Sequence, residues 1–112
     1  MSGITTHVLD VSTGKPAAGV NVTLDRQTTD GGWETIGNQQ TDGDGRARDL
    51  INQPLIAAAY RLTFDVGSYF NERQIEGFYR EVTIAFIVND ASQHYHVPLL
   101  LSPFGYSTYR GS

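Results

Sequence analysis

Three histidines, His7, His94 and His96, are the side chains of this 112-residue chain best suited to proton chemistry near neutral pH. Imidazole is the group whose ordinary pKa lies closest to neutrality, and it is the usual general base. His94 and His96 are two positions apart, so on a strand both project to one face. His7 falls in a second alternating segment, where it is predicted to share a face with Leu9 and Val11. An imidazole among apolar neighbours must find a polar partner. The three are therefore either general bases or histidines satisfied or solvated with no chemical role. A His-x-His pair can also chelate zinc, but no third ligand stands at a recognisable spacing, and no metal site is expected.

Arg46 follows Asp44-Gly45 at the end of a polar loop. It is either a solvated turn residue or a guanidinium held out to grip a planar anion or a carbonyl group. The terminal Tyr109-Arg110-Gly111-Ser112 is polar, and chain ends usually fray. Asp42 and Asp44 lie beside two glycines and read as turn formers rather than paired catalytic carboxylates. No Gly-x-Ser-x-Gly elbow supports a serine nucleophile. The chain has no cysteine, which excludes disulfides, thiolate catalysis and cysteine-type zinc sites.

The elements that would carry these residues are short strands punctuated by Gly and Pro. Residues 5–11 alternate, and Ser12 to Pro16 form a turn. Val20, Val22 and Leu24 mark a second strand, Asp30-Gly31-Gly32 a hairpin turn, and residues 33–40 the returning strand. Thr41 to Arg46 is a tight loop, and residues 47–55 hold a short strand or stay irregular. Residues 58–66 alternate again, and residues 68–75 are the one helix candidate, with Ser68 available as its cap. Val82, Ile84, Phe86 and Val88 share a face, and residues 94–101 and 106–110 supply the last strands. Seven or eight strands and one short helix predict an all-β, two-sheet sandwich forming a single domain over residues 1–112.

A hydrophobic fraction of 39% argues against disorder, and a net charge of -4 with scattered Lys and Arg argues against nucleic acid as a partner. The longest apolar run, residues 54–60, is far too short to cross a bilayer. No signal-peptide pattern opens the sequence, so a cytoplasmic protein with no membrane partner is the expectation.

Two longer motifs carry a resemblance. His7-Val8-Leu9-Asp10 with Gly14-Lys15-Pro16-Ala17 resembles the opening motif of the transthyretin family, and Tyr95 to Thr108, reading YHVPLLLSPFGYST, resembles its closing motif. The Thr41 to Arg46 loop and the spacing agree, so the resemblance spans essentially the whole chain. It implies the transthyretin-like β-sandwich. One branch of the family carries thyroid hormone. The other hydrolyses 5-hydroxyisourate to 2-oxo-4-hydroxy-4-carboxy-5-ureidoimidazoline in urate breakdown. The carriers have lysine at the position of His7, threonine at that of His96, and small or apolar residues where this chain ends in Tyr-Arg-Gly-Ser, so the resemblance favours the hydrolase branch.

The resemblance also implies residue roles. His7 and His96 would orient and deprotonate water, and Arg46 would hold substrate oxygens and developing negative charge. Tyr109 and Ser112 would line and close the pocket, with the chain's terminal carboxylate nearby, while His94 is left unassigned. No cofactor is implied. The partners implied are 5-hydroxyisourate and further copies of the chain, in a homotetramer built as a dimer of dimers with its sites between the dimers. A non-catalytic small-molecule carrier is the alternative, and an adhesion-type sandwich module is a weaker one.

Overall fold

A computed structural model describes residues 3–112, so the sequence reading of Met1 and Ser2 lies outside the described residues. The strands are β1 (Gly3–Asp10), β2 (Lys15–Pro16), β3 (Asn21–Gln27), β4 (Trp33–Gln40), β5 (Arg46–Ala47) and β6 (Ala58–Phe64). The helix α1 (Val66–Glu72) follows, then β7 (Val82–Val88), β8 (His94–Ser102) and β9 (Gly105–Thr108). Two sheets form, one in the order β2-β1-β8-β9 with β5 also paired to β1, the other in the order β4-β3-β6-β7. Seven strands have four residues or more; β2 and β5 are two-residue pairings along one edge of β1. The expected two-sheet sandwich with one short helix is what the chain adopts.

Alternation builds the core. Ile4 and Val8 of β1 and Val97, Leu99 and Leu101 of β8 face inward from one sheet. Val22 and Leu24 of β3 and Tyr60, Leu62 and Phe64 of β6 belong to the same buried cluster from the other sheet. Most of these are β-branched or aromatic residues, or leucines, which fit a pleated surface buried on one side. The pairing that fixes the first sheet is parallel: β1 runs beside β8 from Gly3↔His94 to Asp10↔Leu101.

Three local readings are corrected. His7 and Leu9 share a face as expected, but it is the half-buried outer one, with Thr5, while Ile4, Thr6, Val8 and Asp10 are buried. Val11 falls beyond β1 and is 50% exposed. The helix starts at Val66, and its cap is Asp65 rather than Ser68. The Asp65 carboxylate accepts from the Ser68 backbone N–H at 3.2 Å and from the Ser68 hydroxyl at 2.7 Å. Lys15 and Pro16, read as part of a turn, pair with Asp10 and Leu9.

The helix is tied to the site-bearing sheet through a buried carboxylate. Tyr69 of α1 donates its hydroxyl to Asp10 Oδ2 at 2.9 Å, and the Ser12 backbone N–H donates to Asp10 Oδ1 at 3.0 Å. Burial, then the Asp10 carboxylate, push the Tyr69 phenol up to about 12. Among the described residues no helix is long and apolar enough to cross a membrane.

The loop before β5 turns on Gly45, whose φ is +74°. Its carbonyl accepts from the Val8 N–H at 2.7 Å, fastening the loop to β1. A Cβ at Gly45 would run into the Val8 carbonyl and lie 3.0 Å from Pro16 Cβ. Gly45→Ala is therefore expected to destabilise the fold by more than the ~1–2 kcal/mol cost of a left-handed L-residue. Denaturant unfolding checks this; a midpoint equal to that of the unmodified chain would contradict it.

Candidate active site

The sheet order brings the chemically competent residues to one outer face. Thr5 is the Cα partner of His96, and His7 is the partner of Pro98 on β8 and of Arg46 on β5. Partners across a ladder share a face. Arg46 therefore flanks His7 on one side of β1, while His94 and His96 lie on the other side. His94 is exposed and His96 half-buried on the alternating outer positions of β8.

A cleft of about 640 Å³ opens over this face. Arg46, His94, His96 and Ser112 line it, as do four residues the sequence did not single out: Thr5, Thr6, Arg48 and Asp49. His7 flanks the cleft, close enough for its charge to act on His96. Tyr109 is placed elsewhere. It is 57% exposed and lines a smaller cleft of about 160 Å³ with Ile84, Phe86 and Val97.

The arginine is held by its own loop. Asp42 Oδ1 accepts from the Asp44 and Arg46 backbone N–H groups at 2.9 and 3.0 Å. The bond from Arg46 is the main reason the Asp42 carboxyl sits below its usual range. The tail is held as well. The Gly111 N–H donates to the His96 carbonyl at 2.8 Å, and Thr108 Oγ1 donates to the Pro98 carbonyl at 2.7 Å. The Arg110 guanidinium lies 4.5 Å from the centre of the Tyr95 ring and donates to Gln93 Oε1 at 2.8 Å. The last strand thus ends at Thr108 rather than continuing to residue 110, and a single bridge at Gly111 carries the chain back to β8. A Cβ at Gly111 would meet His96 Cδ2 at 2.6 Å, so the tail crosses the imidazole only because this residue has no side chain.

Half-burial, then the Arg46 guanidinium and the neighbouring His7 and His94, hold the His96 imidazole below its ordinary pKa. At neutral pH His96 is thus a neutral ring with a basic nitrogen, beside a fixed cation that can stabilise an anion. The arrangement suits a reaction in which water loses a proton and a carbonyl oxygen gains negative charge. Among the described residues no three His, Cys, Asp or Glu side chains are grouped to hold a metal ion.

Comparison with known proteins shows the family. The profile of the HIUase/Transthyretin family matches residues 4–111. The chain belongs to the HIUase/transthyretin family. A 5-hydroxyisourate hydrolase of Caulobacter vibrioides is 47% identical over 118 aligned positions, covering 100% of both chains. The solved 5-hydroxyisourate hydrolase of Klebsiella pneumoniae superposes with a TM-score of 0.87 at 40% identity, covering 99% of this chain and 100% of that one. Sea bream transthyretin, solved with thyroxine, superposes with a TM-score of 0.91 at 32% identity, covering 96% and 93%. The backbone is common to both branches of the family, while sequence identity is higher to the two hydrolases.

Thr5 was missed because its neighbour in space, His96, is remote in sequence; its position two residues before His7 on an alternating strand was the available signal. Arg48 carried no motif at all. The electrostatic reading has a direct check. An NMR titration of His96 is expected to show a midpoint below the ordinary imidazole value of ~6.5. Arg46→Gln removes a repelling cation and is expected to raise that midpoint. A midpoint at or above the ordinary value, or one unmoved by the substitution, would contradict the reading.

Proposed function

We propose that this protein hydrolyses 5-hydroxyisourate, using the outer face of the β1–β8 pair as its active site. The observation that carries the reading is the convergence of His7, Arg46 and His96 on that face, with the C-terminal segment bound across His96. The names of the full-length relatives supply the substrate.

The substrate is a planar bicycle with a lactam carbonyl. Water must be deprotonated as it adds to that carbonyl, and the adjacent C–N bond then breaks. His96, neutral and half-buried, takes the proton. His7, beside it on the same face, orients the water. Arg46 holds the carbonyl oxygen as charge develops there, and Ser112 closes the cleft. Tyr109 stays outside the site of a single subunit and belongs to the smaller apolar cleft. A carrier on the same scaffold would bind in this region without turnover, and the likeness to transthyretin keeps that alternative in view. Absorbance decay of freshly generated 5-hydroxyisourate separates the two.

His7→Ala, Arg46→Ala and His96→Ala are each expected to lower turnover on the order of 10²–10⁴-fold without unfolding the protein. Deleting residues 111–112 is expected to lower turnover far more than it lowers the melting temperature. Decay no faster than the uncatalysed rate for the unmodified chain would reject the hydrolase, and near-normal turnover in both histidine variants would reject the mechanism.

The reading includes a homotetramer, a dimer of dimers. Strands β7 and β9 are edges of their sheets, and both line the smaller cleft, through Ile84, Phe86 and Ile87 and through Thr108. Ile87, Phe104, Tyr106 and Tyr109 are exposed on or beside them. Unpaired edges with apolar side chains favour association through these strands. Light scattering is expected to give four times the chain mass, and a fully active monomer would sink this part of the proposal.

A further inference from the structure

One polar side chain on the site face has no part in the reaction as described above. Thr5 stands beside His96 in the parallel ladder. Its Oγ1 lies 2.8 Å from His94 Nε2 and 2.9 Å from His96 Nδ1. A hydroxyl has one proton and two lone pairs. Among the described residues Thr5 Oγ1 has these two partners only, so when its proton goes to one ring, it accepts an N–H from the other.

That restriction makes the two tautomers complementary. If Thr5 donates to His94 Nε2, that nitrogen is bare, His96 carries its proton on Nδ1, and His96 Nε2 keeps its lone pair. If Thr5 donates to His96 Nδ1, the reverse holds, and His96 Nε2 carries a hydrogen. In the first state His96 Nε2 is a base; when that nitrogen takes up a proton, a shift of one proton along each of the two hydrogen bonds keeps His96 neutral with its Nε2 protonated and puts the positive charge on His94. The charged surroundings act against an extra proton on the inner ring, His96. Arg46 of β5 and His7 of β1 bear on the half-buried His96, with Arg48 and Asp49 lining the same cleft, while His94 is exposed at the rim.

We infer that Thr5 is a positioning residue that couples His96 to His94 as a proton store, holding His96 ready as a base and then converting it to an acid. The inference rests on the hydrolase reading of the same cleft. As the water oxygen bonds to the substrate carbonyl carbon, the water proton moves to His96 Nε2. The Nδ1 proton of His96 moves to Thr5 Oγ1, and the former hydroxyl proton moves to His94 Nε2. His96 is again neutral, and His94 holds the positive charge. When the C–N bond breaks, His96 Nε2 gives its proton to the leaving nitrogen. The two relayed protons return, restoring both rings, and the net change is one water added across the bond. His94, which the sequence left without a role, becomes the outer end of the relay.

The test combines kinetics with imidazole NMR. In the unmodified protein above the imidazole pKa, His96 is expected as the Nδ1–H tautomer and His94 with a bare Nε2. Thr5→Val keeps the shape of the side chain and removes the hydroxyl. It is expected to lower kcat on the order of 10–100-fold, as loss of a group that fixes a histidine tautomer does, with KM changed by less than about threefold. Thr5→Ser is expected to restore most of the rate. His94→Phe, on the exposed rim, tests the same relay independently of any packing change at Thr5. It is expected to lower kcat similarly, and the double variant Thr5→Val/His94→Phe to be no worse than either single one. Normal kcat in Thr5→Val or in His94→Phe, a serine variant as impaired as the valine, additive losses, or an Nε2–H tautomer of resting His96 would each overturn the inference. An unmodified protein that fails to open 5-hydroxyisourate would instead reject the hydrolase reading, while the tautomer measurement would still report on the Thr5 bridge.

Discussion

The parallel pairing of β1 with β8 is the constraint on which the rest depends. Strand side chains alternate, so the register of this one ladder decides which residues face the core and which face the cleft. Eight consecutive partner pairs, from Gly3↔His94 to Asp10↔Leu101, set it. A slip of one position would turn Tyr95 and Val97 outward and His96 into the apolar interior, where an unpaired imidazole is costly. The hydrophobic inner positions therefore enforce the geometry of the candidate site on the outer ones.

This division of labour explains how one backbone serves two branches of a family. The inner face of the β1–β8 pair carries the fold; the outer face carries Thr5, His7, His94 and His96. Outer residues can change with little effect on the buried cluster, since each lies half-exposed or exposed. Sea bream transthyretin shares the chain path at a TM-score of 0.91 with 32% identity. Electrostatics then suits the face to the proposed reaction. A half-buried imidazole beside a guanidinium resists protonation, and the same guanidinium favours negative charge on a bound carbonyl.

The architecture was legible in the sequence because it rests on local signals. The alternation of residues 82–88 and the Asp30-Gly31-Gly32 turn placed β7, β4 and the turn between β3 and β4 where the structure has them, while β3 runs on to Gln27, past the Val20 to Leu24 pattern that marked it. The position of Arg46 at a loop end was also local, and Asp42 and Gly45 account for it. What was not legible depended on pairing between remote segments. His7, Leu9 and Val11 were grouped on an apolar face, yet only β8 and the opposite sheet determine that Ile4, Thr6 and Val8 point inward. Thr6 is fully buried despite its hydroxyl because it donates to the Val97 carbonyl across that same ladder. Asp65 displaced Ser68 as the helix cap because the chain leaves β6 at Phe64, two residues earlier than the alternation suggested. Tyr109 and Ser112, three residues apart, line different clefts because Gly111 bends back to pair with His96.

The Thr5 to His96 contact spans 91 positions of sequence. Closing so long a loop costs chain entropy before its contacts repay any of it, and parallel pairings of remote strands form slowly for this reason. The β3–β4 hairpin and the β6–β7 pair can assemble from near neighbours, whereas the sheet that bears the site must wait for both ends of the chain to meet. Catalytic competence is thus a late event in folding. A chain can hold most of its secondary structure while its histidines are still strangers, and recovery of activity reports a later stage of refolding than recovery of β-structure does.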